Sequence, residues 1–215
     1  MKVFLIGGNG RMGKQMQNFM AKNGIEYFAV DKDNFLLAEE TVFDVIVDFS
    51  SPDALSQNLK LAVKTKKPIL IATTGHNDKN EHMIKLASKQ IPIAVCPNLS
   101  VGIMVLNKMI KAFQAVKDFD FVLTEVHHKQ KVDTPSGTAK QLLNQLKNIN
   151  ISANTFAIRA GNVFGEHEIT AYGKNEIVTI KHAATSRDCF CEGAIKVCEK
   201  LIGKPNGVYT IEDLL

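Results

Sequence analysis

Short apolar runs that end at polar or turn-forming residues recur through the first half of the chain. They cover residues 3–6, 27–30, 44–49, 68–72 and 91–95. Segments whose composition suits helices lie between most of them, among them residues 14–23, 52–64 and 80–89. Near-continuous apolar strands that alternate with helices are typical of a parallel sheet with both faces covered. The pattern predicts an α/β fold with a Rossmann-type, doubly wound parallel sheet.

The pattern changes after Asn98. Here the sequence predicts a helix over residues 101–115, an apolar strand over 119–126 and a second helix from Ser136. Further on, two alternating runs flank Gly173-Lys174-Asn175, which indicates a β-hairpin over residues 168–181. A last helix is predicted over residues 189–202, before a glycine and a proline. We therefore predict a second, α+β unit with antiparallel pairing.

The composition is that of an ordinary globular protein, with 215 residues, 45% hydrophobic and 22% charged. The net charge of +4 comes from 26 basic and 22 acidic residues spread along the chain. No long run of lysine and arginine is present of the kind that binds nucleic acid. A small anionic ligand is therefore the better expectation, and we expect no nucleic-acid partner.

Cysteine spacing and the N-terminal residues indicate the compartment. Cys96, Cys189, Cys191 and Cys198 show no C-x-x-C spacing and are too few for a disulfide framework in a chain of this length. Only four apolar residues follow Lys2 before the first glycine, which is too short for a signal peptide, and no run is long enough to span a membrane. We expect a cytoplasmic protein with reduced thiols and no membrane partner.

The first predicted strand runs into the sequence GGNGRMG, residues 7–13. Gly8, Gly10 and Gly13 fit the G-x-G-x-x-G pattern, in which glycines let the backbone approach a pyrophosphate at a helix N-terminus. An ordinary glycine-rich turn is the alternative when the pattern stands alone. Here a strand precedes it, a helix follows it, and Asp31 ends the second strand, where it can accept a ribose hydroxyl. The combination predicts dinucleotide binding.

Other residues at strand ends are candidates for the same site. Arg11 is either a solvated turn residue or a neighbour of the adenosine phosphates. Thr73, Thr74 and Gly75 end one predicted strand, and the segment from Cys96 to Leu99 ends the next, where Asn98 could donate to a nicotinamide amide. Ligands of open α/β sheets bind at these carboxyl ends. Either strand end is also compatible with a purely structural turn.

The choice between NADH and NADPH depends on two adjacent residues. The charge of Asp31 should repel the 2′-phosphate of NADPH, whereas the ammonium group of Lys32 could reach that phosphate and offset the repulsion. We expect both cofactors to work, with NADH equal or better. If Lys32 is only a solvated lysine, the protein is specific for NADH.

Two adjacent histidines stand near the start of the segment EVHHKQKVDTPSGTA, residues 125–139. Neighbouring side chains of an extended strand point to opposite faces, so His127 and His128 are not expected to chelate one metal ion together. For a single histidine, a structural or surface role is the alternative. We predict no metal site here.

The same segment combines positive charge with a predicted helix start. Pro135 suits the first turn of a helix, and the following Ser136, Gly137 and Thr138 offer N–H groups and hydroxyls to a carboxylate. Lys129 and Lys131 lie close by in the sequence and could neutralise a second anionic group. The segment therefore predicts a pocket for a small dicarboxylate.

This segment resembles the signature of the 4-hydroxy-tetrahydrodipicolinate reductase family, also called dihydrodipicolinate reductase. The resemblance continues along the chain through GGNGRMG, ATTGH, PNLSVGI, RAGNVFGEH, HAATSR and GVYTIEDLL. It implies an oxidoreductase of lysine and diaminopimelate biosynthesis that uses NADH or NADPH. The implied reaction reduces 4-hydroxy-tetrahydrodipicolinate to tetrahydrodipicolinate.

The resemblance also implies roles for individual residues. His127 matches a proton donor or acceptor, and Lys131 matches the usual proton donor. The implied substrate contacts are His128, Ser136, Gly137 and Thr138. The implied cofactor contacts are Gly7, Gly8, Asn9, Gly10, Arg11, Met12, Asp31, Ala72, Thr73, Thr74, Cys96, Pro97, Asn98 and Leu99. The sequence departs from the family's common residues at Ala72, His76, Gln130 and Thr134.

Two domains and a homotetramer are implied as well. A dinucleotide-binding domain would cover residues 1–98 and be completed by 189–215. Residues 99–188 would form a substrate-binding domain whose mixed sheet builds the tetramer. Two alternatives remain at this point: a different Rossmann reductase acting on an open-chain substrate, and a non-catalytic dinucleotide sensor.

Overall fold

The computed structural model describes residues 1–31 and 41–215. Lys32, predicted to contact the 2′-phosphate, lies outside the described residues. The chain divides into two compact units, one formed by residues 1–99 with 190–215 and the other by residues 100–189. No helix among the described residues combines the length and the hydropathy that crossing a membrane requires. All four cysteines are free thiols.

The first unit contains a six-stranded sheet in which every neighbouring pair of strands is parallel. Its strand order is β10-β5-β4-β3-β1-β2. The strands are β1 (Lys2–Ile6), β2 (Glu26–Val30), β3 (Val45–Asp48), β4 (Ile69–Ile71), β5 (Pro92–Val95) and β10 (Gly207–Tyr209). The predicted doubly wound parallel sheet is thereby confirmed. Strand β10 was not anticipated, since its three residues are too few to give a periodic signal.

Helices accompany these strands. They are α1 (Arg11–Lys22), α2 (Leu55–Thr65), α3 (Asp78–Ala87), α6 (Asp188–Leu201) and the short α7 (Ile211–Leu214). Helix α1 begins three residues earlier than residue 14, where the composition placed it, because the glycine loop runs directly into the helix. Helix α3 begins with a reciprocal capping box between Asn77 and Asn80, which satisfies two backbone N–H groups.

Both faces of the parallel sheet are buried. Phe4, Ile46 and Ile69 belong to a hydrophobic cluster that also contains residues of α2 and α3. Successive side chains of a strand point to opposite faces, so Leu5 and Val47 face the other side, and both are fully buried as well. This is why the strands are continuously apolar in sequence.

The second unit contains a four-stranded mixed sheet with the order β7-β6-β8-β9. Its strands are β6 (Asp120–His127), β7 (Ala153–Arg159), β8 (Glu166–Tyr172) and β9 (Ile177–Ala183). Strand β6 pairs parallel with β7 and antiparallel with β8, and β8 and β9 form the predicted hairpin. The sequence had not predicted β7, whose residues alternate between half-buried and exposed positions instead of forming an apolar run.

One face of this sheet is covered by helices. Helices α4 (Val101–Ile110), followed by a 3-10 segment (Lys111–Val116), and α5 (Gly137–Asn148) pack on it around a core that includes Leu106, Leu123 and Leu142.

The other face of the same sheet is open within the unit. It carries exposed apolar side chains, with Phe156 58% and Ile177 62% exposed. Ile158 and Tyr172 are exposed on the same face.

Candidate active site

The glycine loop leads directly into the N-terminus of α1. Gly10 is the N-cap residue, no side chain caps the helix, and no acidic residue lies in its first turn. The first N–H groups of a helix have no partner within the helix, and the helix dipole favours an anion there. The N–H groups in the first turn of α1 therefore suit a phosphate group, whereas those of Gly7, Gly8, Asn9 and Gly10 already donate within the chain.

Gly13 allows the helix to approach the loop closely. A methyl group added at Gly13 would lie 2.1 Å from the carbonyl oxygen of Gly7 and 2.8 Å from the Cα of Gly8. Both contacts involve backbone atoms, which cannot rotate away. The third glycine of the pattern is therefore required for packing.

A cavity of about 620 Å³ lies beside this loop, where β1 and β3 end. Its lining includes Gly7, Gly10, Asp31, Ser50, Asp53 and Asn58. The sheet order reverses between these strands, since β2 lies on the far side of β1, and open α/β sheets bind ligands at such a point. The Asp31 carboxylate accepts a hydrogen bond from the Asn9 N–H at 3.1 Å, so it lies against the loop. The residues present thus fit part of a dinucleotide.

The other predicted cofactor segments follow the carboxyl ends of β4 and β5. The backbone N–H of Ala72 donates to the carbonyl oxygen of Asp48, and that of Cys96 donates to the carbonyl oxygen of Ile71. Both hydrogen bonds extend the pairing of the parallel strands by one residue. Nε2 of His76 lies 3.0 Å from the Thr73 hydroxyl. His76, which differs from the residue common in the family, therefore forms a contact within the turn. Burial raises the pKa of the Cys96 thiol to about 12, which keeps it protonated. These segments share the sheet edge with the glycine loop but do not line the cavity described above.

In the second unit, four charged or polar side chains meet at the end of β6. Its alternation buries Glu125 and His127 on the helix-covered face, and register places Arg159 of β7 opposite His127 and His167 of β8 opposite Glu125. Glu125 is fully buried, and its Oε1 accepts hydrogen bonds from Arg159 Nη2 at 2.8 Å and from the Ser136 N–H at 3.0 Å. Its Oε2 contacts Nδ1 of His127.

The charges of this cluster follow from its contacts. Burial alone would raise the pKa of Glu125, but the hydrogen bonds from Arg159 and Ser136 outweigh it and hold the pKa below its usual range. Burial lowers the pKa of His127, and the attraction of Glu125 offsets this only in part. Burial also lowers the pKa of His167, so at neutral pH the cluster holds a carboxylate, a guanidinium and two neutral imidazoles.

His128 faces different partners from His127. Its Nδ1 lies 3.1 Å from the Gln130 side-chain oxygen, whereas the His127 ring packs edge to face on His167 with centroids 5.1 Å apart. Donor atoms of Glu125, His127 and His167 lie within 4.8 Å of one another, a distance that could admit a metal ion. The positive charge of Arg159, which is paired with Glu125, would repel a metal ion bound at the same carboxylate. We therefore interpret the cluster as a hydrogen-bonded network.

The N-terminus of α5 is already hydrogen-bonded within the chain. The Ser136 hydroxyl is buried, accepts from the Ala139 N–H at 3.1 Å and lies 3.3 Å from Nε2 of His167. The Gly137 N–H donates to Asp133 at 3.3 Å. The Ser136 side chain therefore caps the helix, while Gly137 is exposed and Thr138 is half-buried.

Asp133 occupies the donors that the sequence assigned to a carboxylate. Besides the Gly137 N–H, it contacts Lys131 Nζ at 2.8 Å, and its side chain is 51% exposed. The hydrogen bond from Lys131 is the main reason why the pKa of Asp133 is lowered. An external carboxylate would compete with this side chain for the same two groups.

Comparison with known proteins tests these expectations. A family model described as the N-terminus of dihydrodipicolinate reductase matches residues 1–99, and one described as its C-terminus matches residues 102–215. The chain belongs to the dihydrodipicolinate reductase family. The 4-hydroxy-tetrahydrodipicolinate reductase of Bdellovibrio bacteriovorus is 37% identical over 219 positions, covering 100% of this chain and 96% of that protein. The protein of the same name from Exiguobacterium sibiricum is 40% identical over 83% of this chain and 79% of its own length.

A solved reductase has the same fold. The dipicolinate-bound dihydrodipicolinate reductase from Paenisporosarcina sp. TG-14 aligns over 100% of this chain and 99% of its own, with a TM-score of 0.77 and 18% identity. The family models and the curated relatives confirm the resemblance inferred from the sequence motifs and the oxidoreductase class, and the solved structure confirms the fold. Four residues at this site were not predicted from the sequence: Glu125, Asp133, Arg159 and His167. RAGNVFGEH offered a signal, since it begins at Arg159 and ends at His167.

Proposed function

We propose that this chain reduces 4-hydroxy-tetrahydrodipicolinate to tetrahydrodipicolinate with a reduced nicotinamide dinucleotide, in lysine and diaminopimelate biosynthesis. The observation that carries the proposal is full-length similarity to proteins named for this reaction. The buried Glu125–His127 pair supports it together with Lys131, whose charge helps to lower the pKa of His127, because these residues supply the groups that a proton transfer needs.

The cofactor is held by the first unit in this proposal. The backbone of Gly7, Gly8, Asn9 and Gly10, with Arg11 and Met12 at the start of α1, receives the pyrophosphate, and Asp31 receives a ribose hydroxyl. Ala72 to Thr74 and Cys96 to Leu99 hold the remainder at the ends of β4 and β5. When bound, the reduced nicotinamide supplies the hydride.

Both NADH and NADPH are proposed cofactors, with NADH equal or better. Asp31 and Asp53 both line the cavity at the glycine loop, and their charges oppose a 2′-phosphate. Use of NADPH therefore requires a compensating cation, and Lys32 remains the predicted one.

The second unit binds the dicarboxylate and manages the proton. Lys131, His128 and the start of α5 at Ser136, Gly137 and Thr138 receive the substrate carboxylates. One carboxylate displaces Asp133 from Lys131 and Gly137. Ser136 contributes mainly by capping the helix, since its hydroxyl is buried. When the substrate accepts a hydride and loses water, His127 or Lys131 moves the proton.

The roles of the two units and the assembly are also proposals. The first unit would bind the dinucleotide and the second the substrate. The exposed apolar side chains on the open sheet face of the second unit, Phe156, Ile158, Tyr172 and Ile177, support a homotetramer built through that sheet. The cytoplasmic location stays a prediction from the sequence.

Binding of pyridine-2,6-dicarboxylate, a planar dicarboxylate mimic, tests the proposal. We expect the wild-type protein to bind it in calorimetric titration, more tightly when NADH is present. Lys131→Ala should weaken this binding, whereas Lys147→Ala, an exposed lysine in the last turn of α5, should not. A reductase for an open-chain substrate or a dinucleotide sensor would bind NADH without binding the mimic, and that result would reject the proposed substrate.

A further inference from the structure

Glu125 is a carboxylate with no exposure to solvent, with two hydrogen-bond donors at Oε1 and a close contact to His127 at Oε2. Oε1 accepts from Arg159 and from the Ser136 N–H, and Oε2 contacts Nδ1 of His127. A buried charge is costly unless it is paired and hydrogen-bonded. This arrangement satisfies that condition and joins three segments of the chain at one carboxylate.

The contact with His127 determines which nitrogen of its ring carries the proton. An ionised carboxylate can only accept hydrogen bonds, so Nδ1 of a neutral His127 must be the donor. Apart from this close contact, neither Nδ1 of His127 nor Oε2 of Glu125 has a hydrogen-bond partner among the described residues, so each is the polar neighbour of the other. The proton therefore resides on Nδ1, and Nε2 keeps a free lone pair with which it can accept a proton.

Gly165 leaves space at the opposite nitrogen of the ring. A methyl group added at Gly165 would lie 3.0 Å from Nε2 of His127, and its φ of +151° is one that other residues rarely adopt. The ring is thus held at Nδ1 by Glu125, while the chain beside Nε2 carries no side chain.

Oε1 of Glu125 holds the loop that precedes α5. Its partner Arg159 also donates to the carbonyl oxygen of Asp133 at 2.7 Å and to the Thr134 hydroxyl at 3.3 Å. The Ser136 N–H belongs to the N-cap residue of α5. Glu125 therefore positions both the imidazole and the segment that carries the candidate carboxylate donors.

We propose that Glu125 is a positioning residue of the reductase, which holds His127 in the Nδ1–H tautomer through one oxygen and the start of α5, together with Arg159, through the other. The proposal rests on the proposed function. It adds a residue that acts through His127 instead of contacting the substrate.

The tautomer can be measured directly in the protein labelled with ¹⁵N-histidine. Long-range ¹H–¹⁵N spectra at neutral pH should show His127 with a protonated Nδ1 and an unprotonated Nε2, with the signal assigned by its loss in His127→Gln. A wild-type spectrum with the proton on Nε2 would overturn the proposal without any variant of Glu125.

Glu125→Gln should invert the tautomer. Arg159 and the Ser136 N–H both donate to Oε1, so the amide oxygen of glutamine should face them and its NH₂ group should face His127. Nδ1 must then accept, and the proton moves to Nε2. We expect kcat to fall about 10- to 100-fold, the scale known for removing the carboxylate that orients a metal-binding histidine, with the dissociation constant of NADH unchanged.

Glu176→Gln is the matched control, because Glu176 is exposed in the β8–β9 turn. It should leave both the tautomer and kcat at wild-type values. An unchanged His127 tautomer in folded Glu125→Gln would overturn the positioning role. The spectra need no turnover, so a wild-type protein without reductase activity would refute the proposed function while leaving the tautomer result readable.

Discussion

Replacing Gly13 with alanine should damage dinucleotide binding through one steric contact. The added methyl group would lie 2.1 Å from the carbonyl oxygen of Gly7, whereas ordinary contact begins at 3.4 Å, so 1.3 Å must be gained by moving the loop away from α1. Overpacking of this kind costs about 1–3 kcal/mol of folding free energy. A loop displaced by more than 1 Å also loses a hydrogen bond to phosphate, about 1.5–3 kcal/mol, which corresponds to roughly 10- to 100-fold in Kd.

Urea unfolding and NADH titration of Gly13→Ala measure the two effects separately. Gly10→Ala is a graded comparison for stability, since its methyl group would lie 3.3 Å from the same Gly7 oxygen and should cost less. Asn18→Ala, at an exposed position of α1, should change neither stability nor Kd appreciably. If Gly13→Ala keeps wild-type stability and NADH affinity, the close approach of α1 to the loop does not determine the phosphate site.

The remaining predictions concern the second unit. Lys131→Ala should lower kcat at least about 100-fold, the scale of a lost general acid, without changing NADH affinity; wild-type turnover would make Lys131 only a surface charge. Asp133→Asn should lower the Kd of pyridine-2,6-dicarboxylate about 1.4- to 5-fold, because an exposed ion pair contributes about 0.2–1 kcal/mol; weaker binding in calorimetry would contradict competition by Asp133. Burial lowers the pKa of His167 from 6.5 to about 4. Between pH 6.5 and about pH 4 the unfolded state therefore binds more protons than the folded state. The free energy of unfolding should fall by roughly 3 kcal/mol as the pH drops through this range. Urea unfolding of His167→Gln across this range should show a shallower pH dependence, and equal slopes would refute the assignment.

Much of the first unit could be predicted because its structure follows from local sequence. The strands around Leu5 and Val47 are buried on both faces, which produces continuous apolar runs that are easy to recognise. The glycine pattern also specifies its own context, since the strand before it and the helix after it are adjacent in the chain. The short α7 and β10 lack such signals, because three or four residues do not establish a period.

The cluster at Glu125 could not be predicted in the same way. The sequence predicts an apolar strand over residues 119–126, whereas the strand alternates and places Phe121, Leu123, Glu125 and His127 on one buried face. Arg159 and His167 reach that face through pairing with two other strands, and this register is not contained in any local segment. A glutamate at a buried position of an alternating strand was the available signal.

The helix start at Ser136 shows a different limit. The sequence correctly placed the N-terminus of α5 there and predicted a substrate contact for Ser136, but it did not show that the serine hydroxyl also caps the helix. It also gave no role to Asp133, which lies against the predicted donors. Local patterns identify groups that can bind an anion, whereas only the folded chain shows which of them already have partners.

Steady-state oxidation of NADH with enzymatically generated 4-hydroxy-tetrahydrodipicolinate tests the proposed reaction most directly. The wild-type protein should oxidise NADH only when this substrate is present, with one tetrahydrodipicolinate formed for each NADH consumed. Folded protein that binds NADH but shows no oxidation dependent on this substrate would contradict the proposed function.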